Sequence, residues 1–254
     1  MTRWRLITEY QGTDYVGWQR QNNGPSIQES LETAVKNFSG ETVQVFGAGR
    51  TDAGVHALAQ VAHFDMEKEA CSDTVKDALN AHLRSEPIAI LCAVKAITGF
   101  DSRFSAHERM YLYRILNRRA KPTLLINRVW HVGKLLNYEE MQHAAQYLIG
   151  HHDFTSFRAT GCQAKSPIKT LNELHVERVG EEVQIRARAK SFLHHQVRNI
   201  VGTLVQVGVG RWPSSEVEKA LHAKSRSAAG PTAPSSGLYL VSVKYPEPFD
   251  PVIN

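Results

Sequence analysis

Residues 168–179 and 182–190 form two runs of alternating character on either side of Gly180. A period of two sends successive side chains to opposite faces of an extended chain, and a glycine between two such runs predicts a hairpin. The second run is sharply two-faced. Val183, Ile185, Ala187 and Ala189 alternate with Gln184, Arg186, Arg188 and Lys190, so one surface is apolar and the other basic.

Further strands are expected at Trp4–Tyr10, Thr42–Gly47, Gln60–Asp65, Ile88–Ile97, Arg109–Leu116 and Leu238–Tyr245. The first helix has a clear start and stop. Ser26 and Glu29 make a capping box, Ile27, Leu31 and Val35 an apolar stripe, and Gly40 an end signal. Helices are also expected at Ser72–Leu83, at Tyr138–Ile149 between Asn137 and Gly150, at Leu193–Val207 and at Ser215–Ala223. Strands and helices mix without strict βαβ alternation, which predicts an α+β chain with an antiparallel-rich sheet. The pattern restarts after Gly99, and the chain is read as two halves, 1–104 and 105–254.

With 254 residues and 42% hydrophobic content, such a chain can bury a substantial core. Lys+Arg 30 against Asp+Glu 25 leaves +5, a modest excess that favours a polyanionic partner. The excess is clustered: Arg109, Arg114, Arg118, Arg119 and Lys121 fall in one acid-free run, and Arg186, Arg188, Lys190 and Arg198 in another. Cys71, Cys92 and Cys162 are odd in number and widely spaced, which suits neither a disulfide framework nor a zinc site and fits a reducing compartment. No apolar leader or membrane-length run is seen, so the expected location is the cytoplasm.

Ala48 to Ala57 places Arg50 and Asp52 between Gly49 and Gly54. Glycines permit the close approach of a large planar ligand, and alternation in an extended segment puts the Arg50 guanidinium on the same face as the Asp52 carboxylate. A neighbouring cation favours the ionised carboxylate, so Asp52 is suited to nucleophilic or base work at neutral pH. The competing reading is a Gly-rich turn in which the aspartate caps its own backbone.

Gly47–Thr51 lacks the Lys-Ser/Thr ending of a phosphate loop. Alternation along 109–116 sends Arg109, Tyr111 and Tyr113 to one face; an aromatic ring beside basic side chains is what unpaired-base recognition uses. Arg198 projects from a helix anchored by aliphatics, which fixes its head group. His151-His152 and His194-His195 are adjacent pairs without the three-to-four spacing of helical metal ligands.

Six motifs, in this order, resemble those of the bacterial tRNA pseudouridine synthase A family. They are Gly17-Trp18-Gln19-Arg20-Gln21, the Gly49–His56 segment, Arg103-Phe104-Ser105-Ala106 leading to Tyr111-Leu112-Tyr113, Asp153–Arg158, Phe192–Gly202 and Gly237-Leu238-Tyr239-Leu240. The resemblance implies an isomerase that converts uridine to pseudouridine at positions 38 to 40 of the tRNA anticodon arm, with no metal and no cofactor. By position it makes Asp52 the essential aspartate. Tyr111 would pack on the target base, Arg198 would hold the carboxylate and Leu238 would line the pocket, with Arg20, Arg50, Arg103 and Arg158 along the RNA cleft.

It also implies two α/β halves around a central mixed, largely antiparallel sheet flanked by helices, a basic cleft between them, and a homodimer. Glu108-Arg109-Met110 and Leu83-Arg84-Ser85 depart from the family pattern. Two other classes of function remain open on the residues alone. One is a non-catalytic tRNA-binding module or chaperone with a structural Asp52 loop; the other is a metal-dependent hydrolase built on the histidines.

Overall fold

The structure, a computed structural model, describes residues 1–249. In chain order the elements are β1 (Thr2–Tyr10), α1 (Ile27–Ser39), β2 (Phe46–Gly47), β3 (His56–Met66), α2 (Ser72–His82), β4 (Ile88–Lys95) and β5 (Glu108–Leu116). Then come β6 (Trp130–His131), α3 (Tyr138–Gln146), β7 (Gly150–Asp153), β8 (Ile168–Val179), β9 (Glu182–Ala189), α4 (Gln196–Gly208), α5 (Ser215–Ala223) and β10 (Leu238–Lys244). The class is α+β, with mixed, largely antiparallel strands flanked by helices.

The first compact unit comprises Met1–Arg109 and the stretch beginning at Tyr239; the second is Met110–Leu238. Residues 239–249, at the far end of the chain, belong with the first unit. In the first unit the strand order is β4-β1-β3-β10, with β2 on β3. β1 runs antiparallel to both β3 and β4, and β10 parallel to β3 through Tyr239↔His56 and Leu240↔Ala57. Trp4, Leu6, Phe64 and Met66 from the strands and Ile27, Leu31, Val35, Val75 and Leu79 from the helices are buried, which supplies the main apolar driving force.

Helix α1 starts where the capping box places it: Ser26 Oγ accepts from the Glu29 N–H at 3.2 Å, and Gly40 adopts the left-handed conformation that ends it. The strand expected over 42–47 shrinks to Phe46–Gly47 because α1 takes over its hydrogen bonds. Val45 N donates to Glu32 Oε1 at 3.1 Å, and Val45 O accepts from Gln28 Nε2 at 3.1 Å.

The second unit carries strands in the order β5-β9-β8-β7, with β6 parallel to β5. The hairpin is as the alternation predicts, with Gly180 at φ +60°. Val183, Ile185, Ala187 and Ala189 are buried. The opposite face is not a free basic surface. Arg186 pairs with Glu177 at 2.6 Å and Arg188 with Glu173 at 2.9 Å, both across from β8.

Arg114 forks onto Glu182 at 2.9 and 2.5 Å, and Arg118 reaches Glu181 at 2.6 Å. Burial alone would push the Glu182 carboxyl up, but Arg114 and Gln184 outweigh it and hold the group below its ordinary range. The acid-free runs in sequence are therefore partly neutralised by acids from neighbouring strands. Helix α4 begins three residues later than the apolar stripe suggests. His195 sits at φ +61°, and Gln196 closes a turn on Leu193 through both N→O (3.0 Å) and the Leu193 N–H to its Oε1 (2.8 Å).

Candidate functional site

Asp52 lies in the loop between β2 and β3, half-buried, and is held from several sides. Gly17 and Asp52 form an isolated antiparallel bridge, and Trp18 N donates to Thr51 O at 3.0 Å. Gly17 has φ +113°, and a Cβ there would lie 2.5 Å from Thr51 O, so only glycine lets these two segments meet. Beyond the aspartate, Val55 N donates to Asp52 O at 3.1 Å and Gly54, at φ +76°, donates to Tyr15 O at 3.3 Å.

Three buried side chains fix the approach to Asp52. Arg109 donates to Ala48 O through Nη2 at 2.7 Å, Gln60 Nε2 donates to Gly49 O at 2.7 Å, and the Tyr10 hydroxyl lies 2.9 Å from Thr51 Oγ1. Arg50 is exposed, Thr51 buried and Asp52 half-buried, so burial follows the alternation expected for this stretch. A loop whose carbonyls are held this way spends no further conformational entropy when a ligand reaches the carboxylate.

Arg109 corrects the sequence reading. It shares its face of β5 with Tyr111 and Tyr113, but that face is the buried one, and Arg109 is 8% exposed with its guanidinium on Ala48 O and Arg103 O. Trp18 is also buried, at 2% exposed; a Cβ on Gly47 would lie 2.5 Å from its ring. Gln60 and Tyr10 were not singled out from the sequence. The available signal was a glutamine at a buried position of an otherwise apolar strand, since such a side chain must find a partner.

In the second unit Tyr111 is buried and meets Phe192 edge-on, ring centroids 5.2 Å apart. Arg198 projects from α4, and its Nε donates to Ala233 O at 2.8 Å while Ala233 N donates back to Arg198 O at 3.1 Å. The next residue, Asn199, is fully buried. Its Nδ2 donates to Phe157 O at 2.8 Å, and its Oδ1 accepts from Arg226 Nη2 at 3.1 Å and Thr232 Oγ1 at 2.6 Å.

A Cβ on Gly202 would collide with the Pro231 carbonyl. The polar side of α4 is thus a docking face for the loop 225–237. Leu238, buried, follows that loop. Tyr113 donates to Pro234 O at 2.7 Å, and burial raises its phenol far above the ordinary range, so it remains a donor.

The remaining arginines divide by what they touch. Arg20 is exposed and pairs with Glu29 and Glu32 at 3.3 and 3.4 Å. Arg103 is exposed on a turn. Arg158 holds its own loop, donating to Cys162 O at 2.5 Å and Ala164 O at 2.7 Å. Of the histidine pairs, His151 engages Thr170 Oγ1 at 3.0 Å and His152 the Ile149 carbonyl at 2.8 Å, while the rings of His194 and His195 lie 4.0 Å apart.

The sequence profile described as tRNA pseudouridine synthase matches residues 6–105 and 144–246, which include every site residue above except Arg109, Tyr111 and Tyr113. The chain belongs to the tRNA pseudouridine synthase family. Within it, the chain is 60% identical to the tRNA pseudouridine synthase A of Rhodospirillum centenum over 96% of this chain and 100% of that one. It is 57% identical to the tRNA pseudouridine synthase A of Rhodospirillum rubrum (97% and 88% covered) and 53% identical to that of Maricaulis maris (98% and 100% covered).

Proposed function

We propose that this protein isomerises uridine to pseudouridine in the anticodon arm of tRNA, at positions 38 to 40, with Asp52 as the nucleophile. The observation that carries the reading is the braced Asp52 loop: a half-buried carboxylate on a backbone fixed by Arg109, Gln60, Tyr10 and Gly17, in a chain of this family. The reaction breaks the bond from C1′ to N1 of uracil and forms one from C1′ to C5. The proton leaves C5, N1 gains one, and no atom is added. Such a step needs a carboxylate to assist bond cleavage and a site that keeps the freed base from escaping.

The roles implied by motif position for Tyr111, Arg198 and Leu238 form the substrate-binding part of the proposal. Arg20, Arg50, Arg103 and Arg158 form its RNA-binding part, where phosphate contacts give affinity that falls with salt. We also assign a homodimer and a cytoplasmic location. No helix among the described residues is long and apolar enough to cross a membrane.

Release of tritium from a transcript carrying [5-³H]uridine tests the reading, because the C5–H bond must break. An isomerase releases label in proportion to enzyme turnover. Tight tRNA binding with no release would instead identify a non-catalytic RNA-binding module. In the same assay Tyr111→Phe retains more activity than Tyr111→Ala if the ring face holds the base. Arg198→Lys loses activity because a point charge cannot copy a planar fork.

A further inference from the structure

We propose that the turn at Arg103–Phe104 is a separate nucleotide-binding subsite, where an unpaired base of the tRNA substrate stacks on Phe104 and Arg103 meets a phosphate; this rests on the function proposed above. Phe104 is 81% exposed, an unusual place for a phenyl ring on a rigid turn. The turn is not loose. Asp101 Oδ1 accepts from the Arg103 and Phe104 N–H groups, each at 2.8 Å, Ser105 N donates to Asp101 O at 3.0 Å, and Ser105 Oγ accepts from Asp101 N at 3.0 Å. Arg103 lies over the ring, its Cζ 5.4 Å from the centroid. An exposed ring with a cation over one face, presented on a preformed backbone, matches the combination that single-stranded nucleic acid uses: a stacking face and a phosphate partner.

The turn is mechanically joined to the Asp52 loop. Arg109 Nη2 donates both to Arg103 O at 2.8 Å and to Ala48 O at 2.7 Å, so one buried guanidinium carries both segments. A second exposed ring hangs from the same turn: buried Ser102 donates from Oγ to Phe46 O at 2.8 Å, and Phe46, 45% exposed, stacks on His63 at 5.1 Å. The occupant is RNA rather than an apolar protein face because the exposed aromatic is accompanied by a guanidinium on a chain of net charge +5.

Equilibrium binding of an unmodified tRNA transcript, measured in the Asp52→Asn background so that no product forms, tests this. Phe104→Ala weakens binding about 5- to 150-fold, the range for loss of one stacked base, and Phe104→Trp keeps parental affinity. Arg103→Gln lowers the slope of log affinity against log salt by about 0.7 to 0.9. Parental affinity in Phe104→Ala overturns the inference. So does a loss accompanied by dissociation of a dimer in sedimentation and recovered at higher protein concentration, which would give the surface to a second copy. Failure of the wild-type chain to release tritium from C5 would instead strike the underlying function, whatever Phe104 does.

Discussion

The Arg109 guanidinium and the Ala48 carbonyl meet at 2.7 Å, in a place where neither has water to fall back on. The buried guanidinium donates to two backbone carbonyls, Ala48 O and Arg103 O, and thereby sets the path of the chain four residues before Asp52. Removing it leaves buried acceptors without donors, at about 1–3 kcal/mol each. Arg109→Met is expected to lose about 2–5 kcal/mol in urea unfolding and roughly 100-fold in kcat, since a displacement on the order of 1 Å at a reacting group has that effect. Arg109→Lys recovers part of the stability and little of the turnover. Wild-type kcat in Arg109→Met would remove the guanidinium from the positioning of Asp52.

Gly17 and Gly40 both have positive φ, at +113° and +80°, but only Gly17 faces another backbone. At Gly40 an alanine meets open space and bears only the left-handed penalty, about 1–2 kcal/mol. At Gly17 it also strikes Thr51 O. Gly17→Ala therefore loses activity at least tenfold at temperatures where it remains folded, whereas Gly40→Ala keeps wild-type kcat with a lowered unfolding midpoint. Equal kcat in the two variants would show that the Gly17–Asp52 bridge does not set the site.

Asn199 is the hub of the α4 docking face, bonding Phe157, Arg226 and Thr232 at once. Asn199→Leu keeps the branched shape but is larger, and it removes the bonds to all three partners, so it is expected to cost about 2–5 kcal/mol by chemical denaturation. The loop 225–237 carries the Ala233 carbonyl that holds Arg198, so hydrogen exchange of that loop should quicken as well. Unchanged exchange there would uncouple Asn199 from Arg198.

Burial lowers the pKa of His63, with Asp101 opposing the shift from 3.9 Å and Arg3 reinforcing it. A histidine whose folded pKa lies below its unfolded value, about 6.5, contributes nothing to the slope above that pH. As pH falls through about 6.5 the unfolded chain takes up the proton first, and stability declines until the folded pKa is passed. The urea midpoint should therefore drop between pH 7.5 and 5.5, at no more than about 1.4 kcal/mol per pH unit from this group. In His63→Gln the decline should be shallower, though the protein is less stable throughout. An identical slope in the variant would show that His63 is not its source.

The local grammar of the chain was legible where one force dominates. The Ser26 cap, the Gly180 hairpin and the β9 alternation each follow from short-range sterics or periodicity, and each stands in the structure. Asp52 was legible as a presented acid because glycines frame it. Its braces were not, since Tyr10, Gln60 and Arg109 lie 41, 11 and 61 residues from the atoms they bind, and no local pattern encodes such pairings.

The basic runs misled for a related reason. Charge counted along one strand omits the acids that the adjacent strand brings opposite, as with Glu173 and Arg188. The short β2 is another case, in which α1 side chains captured backbone groups that a propensity reading assigns to a sheet.

Whether the Asp52 carboxylate performs the isomerisation is decided by pseudouridine mapping with carbodiimide-blocked primer extension on a tRNA transcript incubated with wild-type or Asp52→Asn protein. Stops are expected at uridines 38 to 40 with the wild type, and none with the variant although it still binds the tRNA. Stops at the wild-type rate with Asn at residue 52 would contradict that role.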